Sequence, residues 1–360
     1  MTRTKQLAAL LLLLIAGASV SVRAAERTKT FTKRFEATND TRVLLETKYG
    51  RLKIEAWDSS AVLFHALVEV EASSDKRADE RINAIKVEFE QNGQEVAMRT
   101  YIQPEKTRWI SFNLSGSLST NITYTVKMPK HLAIEIAHRY GDIDFRELTG
   151  AVSIDLKYGN MRADALPRGE KTVLNRLVLG YGKADIAQVG WLNVESKYSH
   201  LSIKRAEALA IESRYSDLTL DEVGSLAFDS RYDGYKLRRV NKMTGKGSYT
   251  DMRVSHLNRF FEADFTYGEF ELDDVDPQFE LLKIKGGYTD LDVCIDGASS
   301  YILKAKTVYG SINLRGITLR STNDFDDDYS RFVEGEVGQK PFTGKVVLST
   351  SYGDIQLSHR

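Results

Sequence analysis

Between Leu192 and Val254, apolar and polar residues alternate in a pattern that returns every seventeen positions. The segments NVESKYSHLSI, AIESRYSDLTL, AFDSRYDGYKL and GKGSYTDMRV are four copies of one phrase, aligned on Tyr198, Tyr215, Tyr232 and Tyr249. Around Tyr215, apolar or small residues stand at Leu209, Ile211, Ser213, Leu218, Leu220 and Val223. Alternation with period two puts this set on one face of an extended strand and sends Glu212, Arg214, Thr219 and Asp221 to water. Parity breaks at Ser216-Asp217, which predicts a turn there, so each copy reads as strand, corner, strand, loop. A unit of seventeen residues cannot bury its own apolar face, whereas stacked copies share one continuous core.

The same phase extends in both directions. Tyr49, Tyr140, Tyr158, Tyr181, Tyr198, Tyr215, Tyr232, Tyr249, Tyr267, Tyr288, Tyr309 and Tyr352 all fit it, twelve of the seventeen tyrosines. Val43, Leu45, Thr47, Leu52, Ile54 and Trp57 complete the template around the first, and Val346, Leu348, Thr350, Ile355 and Leu357 around the last. Neighbouring tyrosines lie 17 to 23 residues apart except across two large gaps, which read as insertions. The expected fold is all-β, a solenoid of 17–21-residue rungs, each turning at a tyrosine.

Outside the repeats, residues 1–24 read as a signal peptide. Arg3 and Lys5 precede an apolar run from Leu7 to Val20, and Val22-Arg23-Ala24 offers a cleavage site. That run is short of the about 20 residues a bilayer span needs, and no second one follows. The expected product is exported, with no transmembrane segment, and Cys294, the only cysteine, excludes both an intrachain disulfide and an N-terminal lipidated cysteine. Without the leader, 47 basic against 50 acidic side chains leave a net charge of −3, so neither nucleic acid nor an anionic membrane is implied.

Residues 25–130 hold the first rung and an insertion that caps one end. Ser73-Ser74-Asp75 is a helix N-cap signal, and Ala78, Ile82 and Ile85 follow at helical spacing. Val87 and Phe89, a turn at Gln91-Asn92-Gly93-Gln94, then Val96, Met98 and Tyr101 predict a hairpin. Phe112-Asn113-Leu114 and Ile122 to Met128 predict further strands. Residues 131–319 form the uninterrupted solenoid. In residues 320–360, the acidic run Asn323 to Tyr329 with Gly335, Gly338 and Pro341 reads as a surface loop before a closing rung.

The recurring Tyr-Gly-Asp-Ile or Tyr-Ser-Asp-Leu corner, the signal peptide and the helix and hairpin ahead of Tyr140 resemble the putative-adhesin family of bacterial envelope β-solenoid proteins. The likeness runs from about Val43 to Leu357. It implies a parallel β-helix-like fold and an envelope or extracellular location. It brings no set of catalytic residues, and adhesion is implied by the family name.

Columns of like residues carry the remaining chemistry. The tyrosines read as rings lining a corner with hydroxyls reaching water or backbone; the competing reading, an exposed stripe stacking on sugar rings, conflicts with their phase relative to the core positions. Lys48, Arg139, Lys157, Lys197, Arg214 and Arg231 precede a tyrosine, and Asp142, Asp217, Asp251, Glu269, Asp290 and Asp354 stand two after one. These columns read as a solvated face. Glu269, Glu271, Asp290 and Asp292 project side by side, the arrangement of oxygen ligands for a weak structural calcium site or of a solvated acidic patch. The Gly-rich nonapeptide of calcium-binding β-rolls is absent.

Nucleophile-elbow, phosphate-loop and zinc-helix motifs are missing. His65, His131, His138, His200, His256 and His359 are scattered. His138 falls in a small-residue core column as a hydrogen-bonded, partly buried side chain, and His200 lies beside Asp217 of the next rung. Cys294 reads as a bystander at a strand end. Two function classes follow. One is a non-catalytic envelope protein whose long face binds protein or glycan, with no cofactor beyond the calcium considered above. The other is a β-helix polysaccharide-acting enzyme, a lyase or hydrolase, using the acidic face at 269–296. Regular columns in place of convergent groups favour the first.

Overall fold

The structure, a computed structural model, describes residues 25–103, 118–168 and 175–360. The expected leader and the strand expected at Phe112-Asn113-Leu114 lie outside the described residues. Within them the chain is all-β apart from one short helix, and no helix is long and apolar enough to cross a membrane.

Strands β1 (Ala25–Glu36), β2 (Arg42–Ala56) and β3 (Ala61–Ala72) precede helix α1 (Asp75–Asn83), and β4 (Ile85–Asn92), β5 (Glu95–Ile102) and β6 (Ser119–Met128) follow it. The Ser74 side chain caps α1 by accepting from the Arg77 amide, and Ala78 and Ile82 face inward. Arg27 of β1 ties the helix down through Asp75 (2.7 Å) and Asp79 (2.6 Å). Ile85, expected on the helix, instead opens β4, because the helix ends at Asn83 and period two takes over. The hairpin β4–β5 turns at Gly93, whose φ of 59° suits glycine. Its inward set continues from Val96 and Met98 to Thr100, which leaves Tyr101 outside rather than inside as expected.

This N-terminal part closes over the first copy of the repeat. β5 pairs in parallel with β2 ahead of Tyr49, from Arg42↔Glu95 to Glu46↔Arg99, and β6 pairs with β2 after it, from Arg51↔Thr123 to Ala56↔Met128. β3 and then β1 extend this sheet by antiparallel pairing. The outer edge of β2, which would otherwise present unpaired backbone groups, is thereby satisfied.

The repeats comprise β7 (Ala133–Glu147), β8 (Val152–Lys157), β9 (Asn160–Leu166), β10 (Asn175–Gly180), β11 (Lys183–Lys197), β12 (His200–Arg214), β13 (Asp217–Arg231), β14 (Gly234–Ser248), β15 (Asp251–Leu272) and β16 (Leu281–Ile295). Each tyrosine sits at a corner within or between these strands. Segments before one tyrosine pair in parallel with segments before the next, as in Ile211↔Phe228, and segments after pair with segments after, as in Leu218↔Tyr235. Two parallel ladders therefore meet along the tyrosine corner. The long strands carry the chain from one ladder to the other through bends at Lys204 and Glu207 of β12 and at Asp221 and Gly224 of β13, residues skipped by the register. Because β11 belongs to both ladders, the pairings β7–β8–β10–β11–β9–β7 close a ring of five parallel strands. Between the ladders lies the core, with Leu192, Leu209, Leu226 and Met243 from one side and Leu201, Leu218, Tyr235 and Met252 from the other, all buried.

The C-terminal part departs from expectation twice. β17 (Tyr301–Val308) and β18 (Ile312–Arg315) precede β19 (Arg320–Asp326), β20 (Ser330–Val337), β21 (Gly344–Ser351) and β22 (Ile355–His359). β16 pairs with β21 and β22, and these in turn pair with β17 and β18. The copy around Tyr352, expected to close the stack, is therefore inserted between those of Tyr288 and Tyr309. The acidic segment expected as a surface loop is a hairpin, β19–β20, laid antiparallel along the outer edge of β17. Arg331 neutralises Asp324 and Asp326 across it, and β17 gains the partner that its exposed edge lacks.

Candidate functional site

The feature that dominates the surface is built by one backbone conformation repeated twelve times. The tyrosines Tyr49, Tyr140, Tyr158, Tyr181, Tyr198, Tyr215, Tyr232, Tyr249, Tyr267, Tyr288, Tyr309 and Tyr352 all have φ between 52° and 61°. A left-handed residue with a bulky side chain costs about 1–2 kcal/mol. It also reverses the direction in which the side chain leaves the strand. Ser213 points in and Arg214 out as alternation requires, but Tyr215 points out as well, and Ser216 and Leu218 point in. The turn is thus at the tyrosine itself, one residue earlier than the expected Ser216-Asp217, and the phase that set the rings among the core positions does not hold. All twelve are exposed, between 39% and 52%.

Outward rings on adjacent rungs stack. Centroid separations along the series Tyr49, Tyr140, Tyr158, Tyr181, Tyr198, Tyr215 are 5.2, 5.0, 4.9, 5.0 and 4.9 Å. They continue at 4.9, 4.7, 4.7 and 4.9 Å through Tyr232, Tyr249 and Tyr267 to Tyr288, then 4.7 Å to Tyr352 and 4.9 Å on to Tyr309. At the rung spacing of a parallel ladder this array runs for roughly 50 Å. Each stack contributes about 0.5–1.5 kcal/mol, which offsets part of the backbone strain. Tyr329 closes the far end edge-on against Tyr309 at 5.6 Å. The ring faces cover one another, so the ladder offers solvent its edges and hydroxyls. Stacking of sugar rings on these faces, the alternative considered from the sequence, has no free face except at an end.

This geometry sets an order of tolerance at the corner. Tyr215→Gly removes two stacks but also the strain, whereas Tyr215→Val removes the stacks and leaves a β-branched residue at positive φ. Denaturant melts are expected to show Val costing about 1–2 kcal/mol more than Gly, the reverse of strand propensity. Equal losses would mean that the left-handed turn carries no strain.

Beneath each ring the next residue meets the neighbouring rung. In part of the stack it is glycine, because a Cβ on Gly141 would lie 1.8 Å from the Gly50 carbonyl oxygen and one on Gly159 equally close to that of Gly141. In the middle, hydroxyl residues take over and donate back to the carbonyl just before the tyrosine, Ser199 to Lys197 at 2.8 Å and Ser216 to Arg214 at 3.1 Å. Asp233 has no proton to donate when ionised. Its carboxylate instead accepts from the hydroxyls of Ser213 and Ser230 (2.7 and 2.6 Å) and the amides of Ser216 and Arg231 (2.7 and 3.0 Å). Burial nevertheless pushes its pKa above the ordinary 3.8, against the pull of those donors. A carboxyl raised on folding contributes its stability below the unfolded value and loses it as pH rises through the folded one. Asp233→Ser is therefore expected to melt above the wild type at pH about 7, the gap closing toward pH about 4. A gap that widened in acid would show the ionised form to be the favoured buried species.

His138 is fully buried, more than the partial burial expected. The Gly50 carbonyl lies 3.2 Å from its Nε2, which must donate, so Nδ1 accepts from the Thr47 hydroxyl at 2.8 Å. Burial holds its pKa down at about 4 despite these partners, so the ring is neutral.

The acidic residues are placed as projected, with Glu269 opposite Asp290 and Glu271 opposite Asp292 in the β15–β16 register. They do not converge. Arg253 binds Glu271 and Asp273, each at 3.0 Å, and the Asp354 amide donates to Asp290 Oδ1 at 2.8 Å. Asp142 and Asp251 likewise accept from the amides of Asn160 and Glu269 on the next rung. The column two after the tyrosine, read from the sequence as a solvated face, therefore also serves as a cap between rungs. Among the described residues no group of three His, Cys, Asp or Glu side chains is placed to hold a metal ion. Melting temperatures in millimolar calcium and in chelator are expected to coincide. A calcium-dependent rise abolished by Asp290→Asn/Asp292→Asn would instead establish the metal site.

Other candidates stand apart from one another. His200 and Asp217 are register partners across β12–β13 with no hydrogen bond between their side chains, while His256 pairs with Asp274 at 2.7 Å. Cys294 is free and half-buried near the end of β16. A cleft of about 770 Å³ has charged walls in which Lys53–Glu55, Arg51–Asp144 and Arg146–Asp164 form ion pairs.

No family model matches this sequence, and no curated protein matches it. Among solved structures, the chain is similar to a putative adhesin from Parabacteroides distasonis at 12% identity and TM-score 0.34, covering 72% of this chain and 94% of that one. It is similar to a putative adhesin from Bacteroides fragilis at 11% identity and TM-score 0.30, covering 91% and 97%. A third, a putative lipid binding protein from Parabacteroides distasonis, matches at 10% identity and TM-score 0.34, covering 71% and 94%. At such identities and scores no role passes from these proteins to this chain. Two of the three nonetheless bear the name of the family that the sequence resembles.

Proposed function

We propose that this chain is an exported, non-catalytic envelope protein, a parallel β-helix-like solenoid that holds a long straight face for binding a protein or glycan of the cell envelope. The observation that carries the reading is the tyrosine ladder, in which twelve strained, exposed residues are kept in line over roughly 50 Å. Exposed aromatic surface in an ordered array is what a recognition face supplies, and a core needs none of it. Ion pairing of most of the charged groups in the cleft lined by Lys53, Asp144 and Arg146 supports a role without catalysis. Nucleic acid is not a partner on this reading. The test is retention of envelope glycans and extract proteins by the chain lacking its leader, with and without calcium. Retention of a defined component, reduced when several ladder tyrosines are replaced by glycine, is expected. Retention no greater than that of an unrelated β protein would overturn the proposal.

A further inference from the structure

The residue before each tyrosine points to the same side of the ladder, and in six of the first seven rungs this column is basic. The register runs Lys48, Arg139, Lys157, Gly180, Lys197, Arg214, Arg231 without a break. It then turns neutral, at Ser248 and Thr266. Two of the cations are occupied, Arg139 by Asp155 at 2.5 Å and Arg214 by Glu212 at 3.2 Å. Among the described residues no ion pair engages Lys48, Lys157, Lys197 or Arg231. These four stand on the first, third, fifth and seventh rungs, so unpaired positive charge recurs every second rung, about 9.6 Å apart.

The acids one column further back do not cancel this surplus. Besides Asp155 and Glu212, Glu46 is held by Arg99, Glu195 by Arg176 and Asp229 by Lys246, none of them among the four cations. Beside the cations runs the row of tyrosine edges and hydroxyls, a hydrogen-bonding rim with a step of about 4.8 Å.

Taking this face as the binding surface proposed above, we infer that it takes a linear acidic polysaccharide with one carboxylate per disaccharide. Such a polymer, extended, repeats its charge at close to the two-rung spacing and lays its hydroxyls along the tyrosine rim. Other polyanions fit less well. Side chains on one face of an acidic peptide strand recur at roughly 6.7 Å. Phosphates of one nucleic acid strand follow at about 3.4 Å along the helix axis, and bases need exposed ring faces, which here are covered.

The test is binding of the full chain to hyaluronan, which carries one carboxylate per disaccharide, measured beside an uncharged β-glucan, an acidic peptide and single-stranded DNA. Hyaluronan is expected to bind more tightly than the others and to weaken as salt rises. Lys157→Gln/Lys197→Gln is expected to lose about tenfold in affinity and to flatten the salt dependence, at an unchanged melting temperature. Arg214→Gln, whose guanidinium is already paired, is expected to change little. Equal binding of hyaluronan and the β-glucan, indifferent to the lysine variant, would overturn the charge match and leave a glycan surface standing. Preference for the peptide or DNA would overturn it in favour of that class. Failure of every polymer, with a protein retained from envelope extract, would sink the polysaccharide reading while the envelope-binding role survived.

Discussion

Ile211→Asp is expected to lower stability by roughly 4 kcal/mol or more, while Arg214→Ala, three residues away on the same strand, costs under about 1 kcal/mol. Ile211 is 3% exposed and sits in register between Val194 and Phe228, so its side chain is walled by the rungs on both sides. An aspartate there loses about 2–3 kcal/mol of apolar burial and places a carboxyl with no partner in the core. Arg214 faces solvent and holds Glu212 across an exposed pair at 3.2 Å. Denaturant melts of both variants decide the matter, and equal losses would mean that the inward and outward columns are misassigned. The m-value carries further information. In a stack where each rung contacts its neighbours, a local break that uncouples the two halves lowers m as well as the midpoint.

Acidification from pH about 6.5 to about 4 is expected to remove about 3 kcal/mol through His138 alone. Its ring is neutral in the fold, with a pKa lowered to about 4 chiefly by burial, and it charges near the ordinary 6.5 once unfolded. For a group depressed on folding, the contribution is complete above the unfolded value and declines as pH falls toward the folded one. His138→Leu, which matches Leu156 on the next rung, gives up the bonds to Thr47 and Gly50 at neutral pH but removes the titration. Stability of wild type and variant measured across this range is expected to converge in acid. Parallel profiles would show that His138 is solvated or paired in its charged form.

The repeat and its inward columns were legible along the chain because a strand's side chains alternate whatever the rest of the fold does. Leu209, Ile211, Ser213, Leu218, Leu220 and Val223 were placed from spacing and all are buried. The Ser74 cap and the hairpin turn at Gly93 were legible for the same reason, each depending on a few neighbouring residues. The orientation of the tyrosines was not. A single φ near 55° inverts the side chain, and alternation carries no record of that sign; the signal available was the glycine or hydroxyl residue that follows most of them, which marks a corner where the next rung comes close.

Other outcomes depended on contacts between distant parts of the chain. Both Tyr309 and Tyr352 carry the motif, and nothing in either copy says which lies nearer Tyr288. The order emerges only when β21 and β22 pair with β16 and the hairpin β19–β20 takes the edge of β17. Likewise, the basic column is visible in the sequence, but which of its members are neutralised depends on which acids are brought alongside: Asp155 of the next rung meets Arg139, whereas Glu46, beside Lys48, is held by Arg99 of β5. Spacing along a strand is a local property and can be read in one dimension. Rung order, the sign of a corner and the partner of a charge are settled by which surfaces meet, and those exist only once the chain has folded.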